Sequence, residues 1–193
     1  PFYYCDIRIN PVNENIIYSL ESSIKVSEDG GKNFRRLTNW QTTHPDFHAM
    51  WTHPNGDSLV VGNDGGVVFS HDRGKNWRFV KNLPVGQFYH VSFDMAFPYN
   101  VYGGLQDNGS WIGPSMVLHD RAIHNAHWQM VGFGDGFDTE PDPENHRCGY
   151  AMIQGGNLYY YNLDTGLTRR IKPTESAVKH RYNWNAARAI DPI

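Results

Sequence analysis

The chain has 193 residues, a formal net charge of −3 and a charged fraction of only 19%. It carries no basic footprint that would call for nucleic acid and no run of about 18 apolar residues that would span a membrane as a helix. Nineteen glycines, eleven prolines and an aromatic fraction of 14% argue against a helical or disordered chain and for an all-β one rich in turns.

In chain order, a strand-like stretch, Phe2-Tyr3-Tyr4-Cys5, leads to a turn at Asn10-Pro11-Val12-Asn13 and a β-rich run at Ile16-Ile17-Tyr18-Ser19. Then comes SEDGGKNF, containing Ser27-x-Asp29-x-Gly31-x-x-Phe34. The series repeats with His53-Pro54-Asn55-Gly56, the run Leu59-Val60-Val61-Gly62, the strand Gly66-Val67-Val68-Phe69, and SHDRGKNW. This second octamer contains Ser70-x-Asp72-x-Gly74-x-x-Trp77, 43 residues after the first. In such a turn the Asp carboxylate accepts backbone N–H bonds and the Ser hydroxyl does so more weakly. Gly supplies the backbone angles that a side chain forbids, and the aromatic opens the next strand as a packing anchor. Phe97-Pro98-Tyr99-Asn100 and Glu140-Pro141-Asp142-Pro143 continue the first-turn series, so Pro11, Pro54, Pro98 and Pro141 fall at steps of 43, 44 and 43. A degenerate copy, Asn162-Leu163-Asp164-Thr165-Gly166, lies 92 residues after Ser70, two steps of 46.

Four strands per unit of roughly 40–50 residues predict a β-propeller of four-stranded antiparallel blades. The expected blades cover about 4–37, 47–81, 88–130 and 131–172, with residues 112–127 an irregular connection. The first strand of a fifth blade is expected from Tyr182-Asn183-Trp184-Asn185 onward, within 182–193. A chain of this form is expected to be part of a larger propeller, completed by the remainder of its own polypeptide or by another chain. Cys5 and Cys148 fall three blades apart in this register and are expected to be buried thiols rather than a disulfide.

An up-and-down blade puts its first and third turns on one face. The second turns and the blade-to-blade connections lie on the other. Ser27, Asp29, Gly31, Phe34, Ser70, Asp72, Gly74, Trp77, Asp164 and Gly166 are then structural turn residues. The opposite face gathers Asp46, His48, Asn63, Asp64, Gln106, Asp107, Asn108, Asp135 and Gln154, and function usually sits on such loops. Asp46, Asp64, Asp107 and Asp135 are the catalytic candidates, since paired carboxylates serve glycoside hydrolysis. They also suit calcium, although no cofactor or metal is expected. Asp64 and Asp107 read first as turn formers, whereas Asp46, His48 and Asp135 are balanced between loop ordering and ligand contact. His48, Asn63, Gln106, Asn108 and Gln154 are the ligand-binding candidates.

Pro45 breaks any helical pairing of His44 with His48, and His119, His124 and His127 lack the ligand spacing of a zinc site. Gly30-Gly31-Lys32 and Gly132-x-Gly134-x-Gly136 lack the strand-to-helix context of phosphate loops. Tyr159-Tyr160-Tyr161 reads as strand packing, and Asn108-Gly109-Ser110 is formally a glycosylation sequon.

The repeated Ser-x-Asp-x-Gly-x-x-aromatic turn resembles the Asp-box of the sortilin-type, BNR-repeat β-propeller family, which includes proteins labelled glycosyl hydrolases. The resemblance extends to Asp46-Phe47-His48-Ala49-Met50-Trp51, Gly62-Asn63-Asp64-Gly65-Gly66, the stretch from Val101 to Trp111, Gly134-Asp135-Gly136-Phe137 and Tyr182-Asn183-Trp184-Asn185. It implies a multi-bladed propeller within a longer exported chain, hence a secreted, periplasmic or cell-surface location. Phe34-Arg35-Arg36-Leu37 does not match the sialidase motif, because its Phe closes a turn. The catalytic aspartates of xyloglucanases have no match, and the disulfide-rich module of sortilins is missing. The expected function is a glycan or peptide ligand bound at the loop-bearing face. The alternatives are a xyloglucanase-like glycoside hydrolase and a structural platform without a ligand.

Overall fold

A computed structural model of the chain describes residues 5–174 and 180–191. The strand-like Phe2-Tyr3-Tyr4 and the terminal Pro192-Ile193 lie outside the described residues. The chain forms two compact units, 1–84 and 85–193, each built from two four-stranded antiparallel sheets.

In the first unit, one sheet joins β1 (Asp6–Ile9), β2 (Ile17–Leu20), β3 (Ile24–Ser27) and β4 (Arg35–Arg36) in sequence order. The other joins β5 (Phe47–Thr52), β6 (Leu59–Asn63), β7 (Gly66–Ser70) and β8 (Arg78–Phe79) in the same manner. Side chains alternate across each strand, so Tyr18, Leu20, Ile24 and Val26 of the first sheet meet Phe47, Met50, Leu59, Val61 and Val68 of the second. Each fully buried side chain of this kind contributes about 1.5–3 kcal/mol.

The second unit holds β9 (Phe88–Phe93), β10 (Asn100–Leu105), β11 (Gly109–Pro114) and β12 (Gln129–Gly132), again a meander. Its partner sheet is β13 (Gly136–Pro141), β14 (Cys148–Ile153), β15 (Asn157–Asn162) and β16 (Leu167–Arg170). Tyr102, Ile112 and Val131 pack with Ala151 and Tyr161 between them. The architecture is the all-β, four-stranded antiparallel blade pattern of a propeller. Ile112–Pro114, expected in the irregular connection, instead extend β11 to pair with β10; a 3-10 turn at Asn125–His127 follows before β12. Of residues 182–193, expected to open a fifth blade, the described 182–191 join no sheet, but Ala186 is buried against Phe137 and Met152.

The repeated turns are near-identical staples. Ser27 Oγ accepts the Gly31 N–H at 2.8 Å and donates to Asp29 Oδ1 at 2.8 Å. Asp29 in turn accepts the backbone N–H and the side-chain amide of Asn33, at 2.9 and 2.7 Å. Ser70, Gly74, Asp72 and Asn76 repeat the set, at 2.8, 2.7, 2.9 and 2.6 Å. Gly31 and Gly74 adopt φ of 87° and 84°, which a side chain would strain. The hydroxyl therefore sits at the centre of the turn, and the asparagine adds a closing bond.

The degenerate copy works differently. Asn162 Oδ1 takes over the inner bonds, accepting the N–H groups of Asp164 and Thr165. Asp164 then turns outward to accept Arg147 Nε at 2.8 Å. Two other expectations are corrected. Phe34 does not anchor the next strand but stays exposed, whereas Trp77 packs on the core. Cys5 is exposed because it precedes the first paired residue of β1, while Cys148 is buried as expected.

Hydrogen bonds from the asparagine and serine hold both turn carboxyls at about 2, against an ordinary 3.8. A depressed carboxyl contributes stability above its unfolded value and loses it as pH falls through its folded value. The melting temperature should therefore fall between about pH 4 and pH 2, and Asp29→Asn with Asp72→Asn should flatten that slope. An unchanged slope in the double variant would show that the turns do not carry it.

A second set of staples closes the first turns. Asn10 Oδ1, His53 Nδ1, Asp94 Oδ1 and Asp142 Oδ1 each accept the backbone N–H two residues on, at 3.0, 3.1, 3.1 and 2.9 Å.

Candidate functional site

Within each unit the meander order puts the second turns of the two sheets on the same face as the connection between those sheets: β2–β3 and β6–β7 in the first unit, β10–β11 and β14–β15 in the second. Each unit gathers its own share of the predicted residues there.

In the first unit, Asp46 closes the connection between the two sheets in the left-handed region, with φ of 61°. Its N–H donates to Ser22 O, and its carbonyl accepts the Asp64 N–H at 3.2 Å. Asn63 donates to His44 O at 2.9 Å and accepts the Gly65 N–H at 3.0 Å. Asn63 is thus the turn former at this hairpin. Asp64, expected in that role, directs its carboxylate to His48 Nε2 at 2.7 Å. Asp46, His48, Asn63 and Asp64 are brought together, with Trp40 beside them against His44 at 6.3 Å between ring centres.

In the second unit, Asp107 sits at the β10–β11 turn with φ of 60°, the turn role expected of it. Its N–H donates to Asp135 Oδ1 at 3.0 Å. Asp135 is 7% exposed, and Gln154 holds it twice: Asp135 N–H donates to Gln154 Oε1, and Gln154 Nε2 donates to Asp135 Oδ2, at 3.1 and 3.2 Å. Three loops are thereby tied to one carboxylate. Gln106 Oε1 accepts the Gln87 amide at 2.9 Å, and the Asn108 amide folds back on Gln106 O at 2.8 Å. Tyr89 stacks on Phe137 at 4.6 Å. Burial raises the Tyr89 phenol first, and the Asp135 and Asp107 carboxylates raise it further.

Exposed aromatic residues stand beside these groups and escaped the sequence-based selection. Trp40 is 74% exposed, Phe133 77% and Trp184 59%. Phe133 lies two residues before Asp135, and Trp184 O accepts the N–H of Gly155, the neighbour of Gln154. Aromatic residues placed among turn residues, rather than in strand alternation, were the available signal. In the long connection His124 and His127 lie with ring centres 5.7 Å apart, His127 Nε2 pairs with Asp120 at 2.8 Å and its Nδ1 accepts the His124 N–H. Among the described residues, no group of three or more His, Cys, Asp or Glu could hold a metal ion. No helix among them is long and apolar enough to cross a membrane.

No protein-family model and no curated protein sequence matches the chain. Solved structures similar to it include the GH74 xyloglucanase from Xanthomonas campestris, at 16% identity and a TM-score of 0.34, covering 91% of this chain and 31% of that one. YCF48 from Cyanidioschyzon merolae is similar at 15% identity and a TM-score of 0.34, covering 82% of this chain and 53% of that one; a YCF48 has also been solved bound to D1 peptide. The extracellular domain of a hybrid two-component system from B. thetaiotaomicron is similar at 12% identity and a TM-score of 0.33, covering 86% of this chain and 22% of that one.

Proposed function

We propose that the chain is part of a larger propeller that binds a glycan on its loop-bearing face. The observation that carries this reading is the placing of Phe133 and Trp184 beside the fixed Asp135–Gln154 pair. A pyranose offers an apolar C–H face and a polar hydroxyl edge. Exposed aromatic faces suit the first, and a few oriented polar groups suit the second. Asp46, His48, Asn63 and Asp64 with Trp40 offer the same combination in the first unit. Completion of the propeller falls to the rest of the polypeptide or another chain. A secreted, periplasmic or cell-surface location fits a polymeric glycan ligand.

The test is a glycan array probed with the intact protein, followed by calorimetry on Trp184→Ala and Phe133→Ala. Removing either platform should weaken binding by about tenfold, or about 1.4 kcal/mol. Binding to peptides with no glycan retained would sink the reading, and no binding at all would leave a structural platform.

A second reading, glycoside hydrolysis, is favoured by the neighbouring turns of Asp107 and Asp135, joined by the Asp107 N–H to Asp135 Oδ1 bond at 3.0 Å. Release of reducing ends from a bound glycan, abolished in Asp135→Asn, would establish it. Binding without turnover would rule it out.

A further inference from the structure

The first strands of the second unit's two sheets carry a polar constellation that neither the turn chemistry nor the Asp135 cluster uses. β9 and β13, each the first strand of its sheet, run as neighbours, and Ser92 Oγ donates across to Thr139 O at 2.5 Å. The segment after His180 lies against β13, where Arg188 pairs with Glu140 at 3.0 Å. These three neighbours contribute one residue each. His90 comes from β9, Asp138 from β13 and Asn185 from the last segment.

Asn185 Nδ2 donates to His90 Nε2 at 2.8 Å. That bond makes Nε2 the acceptor and puts the ring proton on Nδ1. Nδ1 faces Asp138 Oδ1 at 3.6 Å, too far for a direct hydrogen bond. A donor and a carboxylate acceptor thus stand side by side without closing on each other. A hydroxyl is the group that satisfies both, accepting from His90 Nδ1–H and donating to Asp138 Oδ1. Trp184, the chain neighbour of Asn185, is exposed.

Charge narrows the choice of ligand. Asp135 is held by backbone and amide N–H groups, Asp138 stands against the His90 imidazole, and Glu140 is paired with Arg188. Lys172 is already engaged by Gly155 O and the Tyr182 ring, and Arg188 by Glu140. A uronate or sulfated chain would meet the Asp138 carboxylate here, and like charges brought together cost binding.

We propose that His90, Asp138 and Asn185 form a hydroxyl-reading subsite for an uncharged glycan, adjoining the Trp184 platform. The inference rests on the glycan-binding reading and adds to it the ligand's charge class and the residues that read its hydroxyls.

The test is calorimetry on the intact protein with cellohexaose and mannohexaose as neutral probes and hexagalacturonate as the anionic one. At least one neutral probe should bind, and hexagalacturonate should bind at least tenfold more weakly. His90→Phe, which keeps a ring but removes both nitrogens, and Asn185→Ala should each weaken neutral binding by about tenfold, with melting temperatures unchanged. Asp138→Asn, which retains an acceptor oxygen, should lose less than Asp138→Ala. Unaltered affinity in His90→Phe and Asn185→Ala, with binding lost in Trp184→Ala, would overturn this subsite and leave the glycan reading standing. Preference for hexagalacturonate would overturn the charge assignment. Failure of every glycan, on the array as well, would remove the glycan reading itself.

Discussion

Replacing Asp94 by alanine should lower the unfolding free energy by about 3 kcal/mol, the upper end of what leaving a buried polar group unpaired costs. Asp94 is 5% exposed at the β9–β10 turn. Its Oδ1 accepts the N–H groups of Ala96 and Asn100 at 3.1 and 2.8 Å, and its Oδ2 accepts the Asn100 amide and the Tyr102 hydroxyl, both at 2.7 Å. Tyr102 is fully buried in the core of this unit, so its hydroxyl would keep only a 3.3 Å contact with His146 O. Urea unfolding of Asp94→Ala, Tyr102→Phe and the double variant isolates that pair, and the two losses should fall short of additive. Burial pushes the Asp94 carboxyl up, but the bonds from Asn100, Tyr102 and Ala96 outweigh it and hold the group below its ordinary 3.8. The sign is therefore that of a depressed acid: its contribution is full above about pH 4 and fades as pH falls through the lower folded value. Asp94→Asn should be less acid-sensitive than the wild type. A wild-type denaturation midpoint in Asp94→Ala would refute the four-bond account.

Asp94 also shows where the sequence stops being legible. The prolines at regular steps and the paired Ser-x-Asp-x-Gly turns mark the blades, because both are local chemistry repeated in text. Asn33 and Asn76 were equally repeated and equally local, yet their role as closing donors emerges only from the folded turn. Asp94 shares its turn position with Asn10, His53 and Asp142, three residue types that do not read as one repeat, and its partner Tyr102 lies eight residues away across a turn. The site is less legible still. Asp64 occupies a turn-forming dipeptide, and only the register of β5 against β6 brings His48 onto its carboxylate, sixteen residues apart. His90 and Asn185 are 95 residues apart, and a contact at that range depends on which strands become neighbours. Nothing in either local sequence encodes it. Exposed Trp40, Phe133 and Trp184 were visible as letters, but burial is a property of the packed chain.

Gly104→Ala should be more destabilising than any surface substitution, by about 3 kcal/mol or more, because overpacking here has no side chain to displace. A Cβ at Gly104 would collide with the backbone of Gly136 and Phe137, and one at Gly136 with the backbone of Gly109. β10 and β13 therefore approach glycine to backbone, and that close approach lets Gly109 N–H reach Gly134 O at 2.8 Å and Asp107 N–H reach Asp135 Oδ1 at 3.0 Å. Gly166→Ala is the matched control. It adds the same methyl at φ of 68° with nothing within 4 Å, so only backbone strain of roughly 1 kcal/mol applies. Chemical denaturation of the two variants separates steric intrusion from strain, and equal losses would refute the close-approach account. The same wedge predicts a functional signature. By forcing β10 from β13, Gly104→Ala should weaken glycan binding in the fraction that remains folded, while Gly166→Ala, on the opposite face, should not. Loss of binding at full foldedness would tie the Asp107–Asp135 alignment to the ligand site through a residue that touches no ligand.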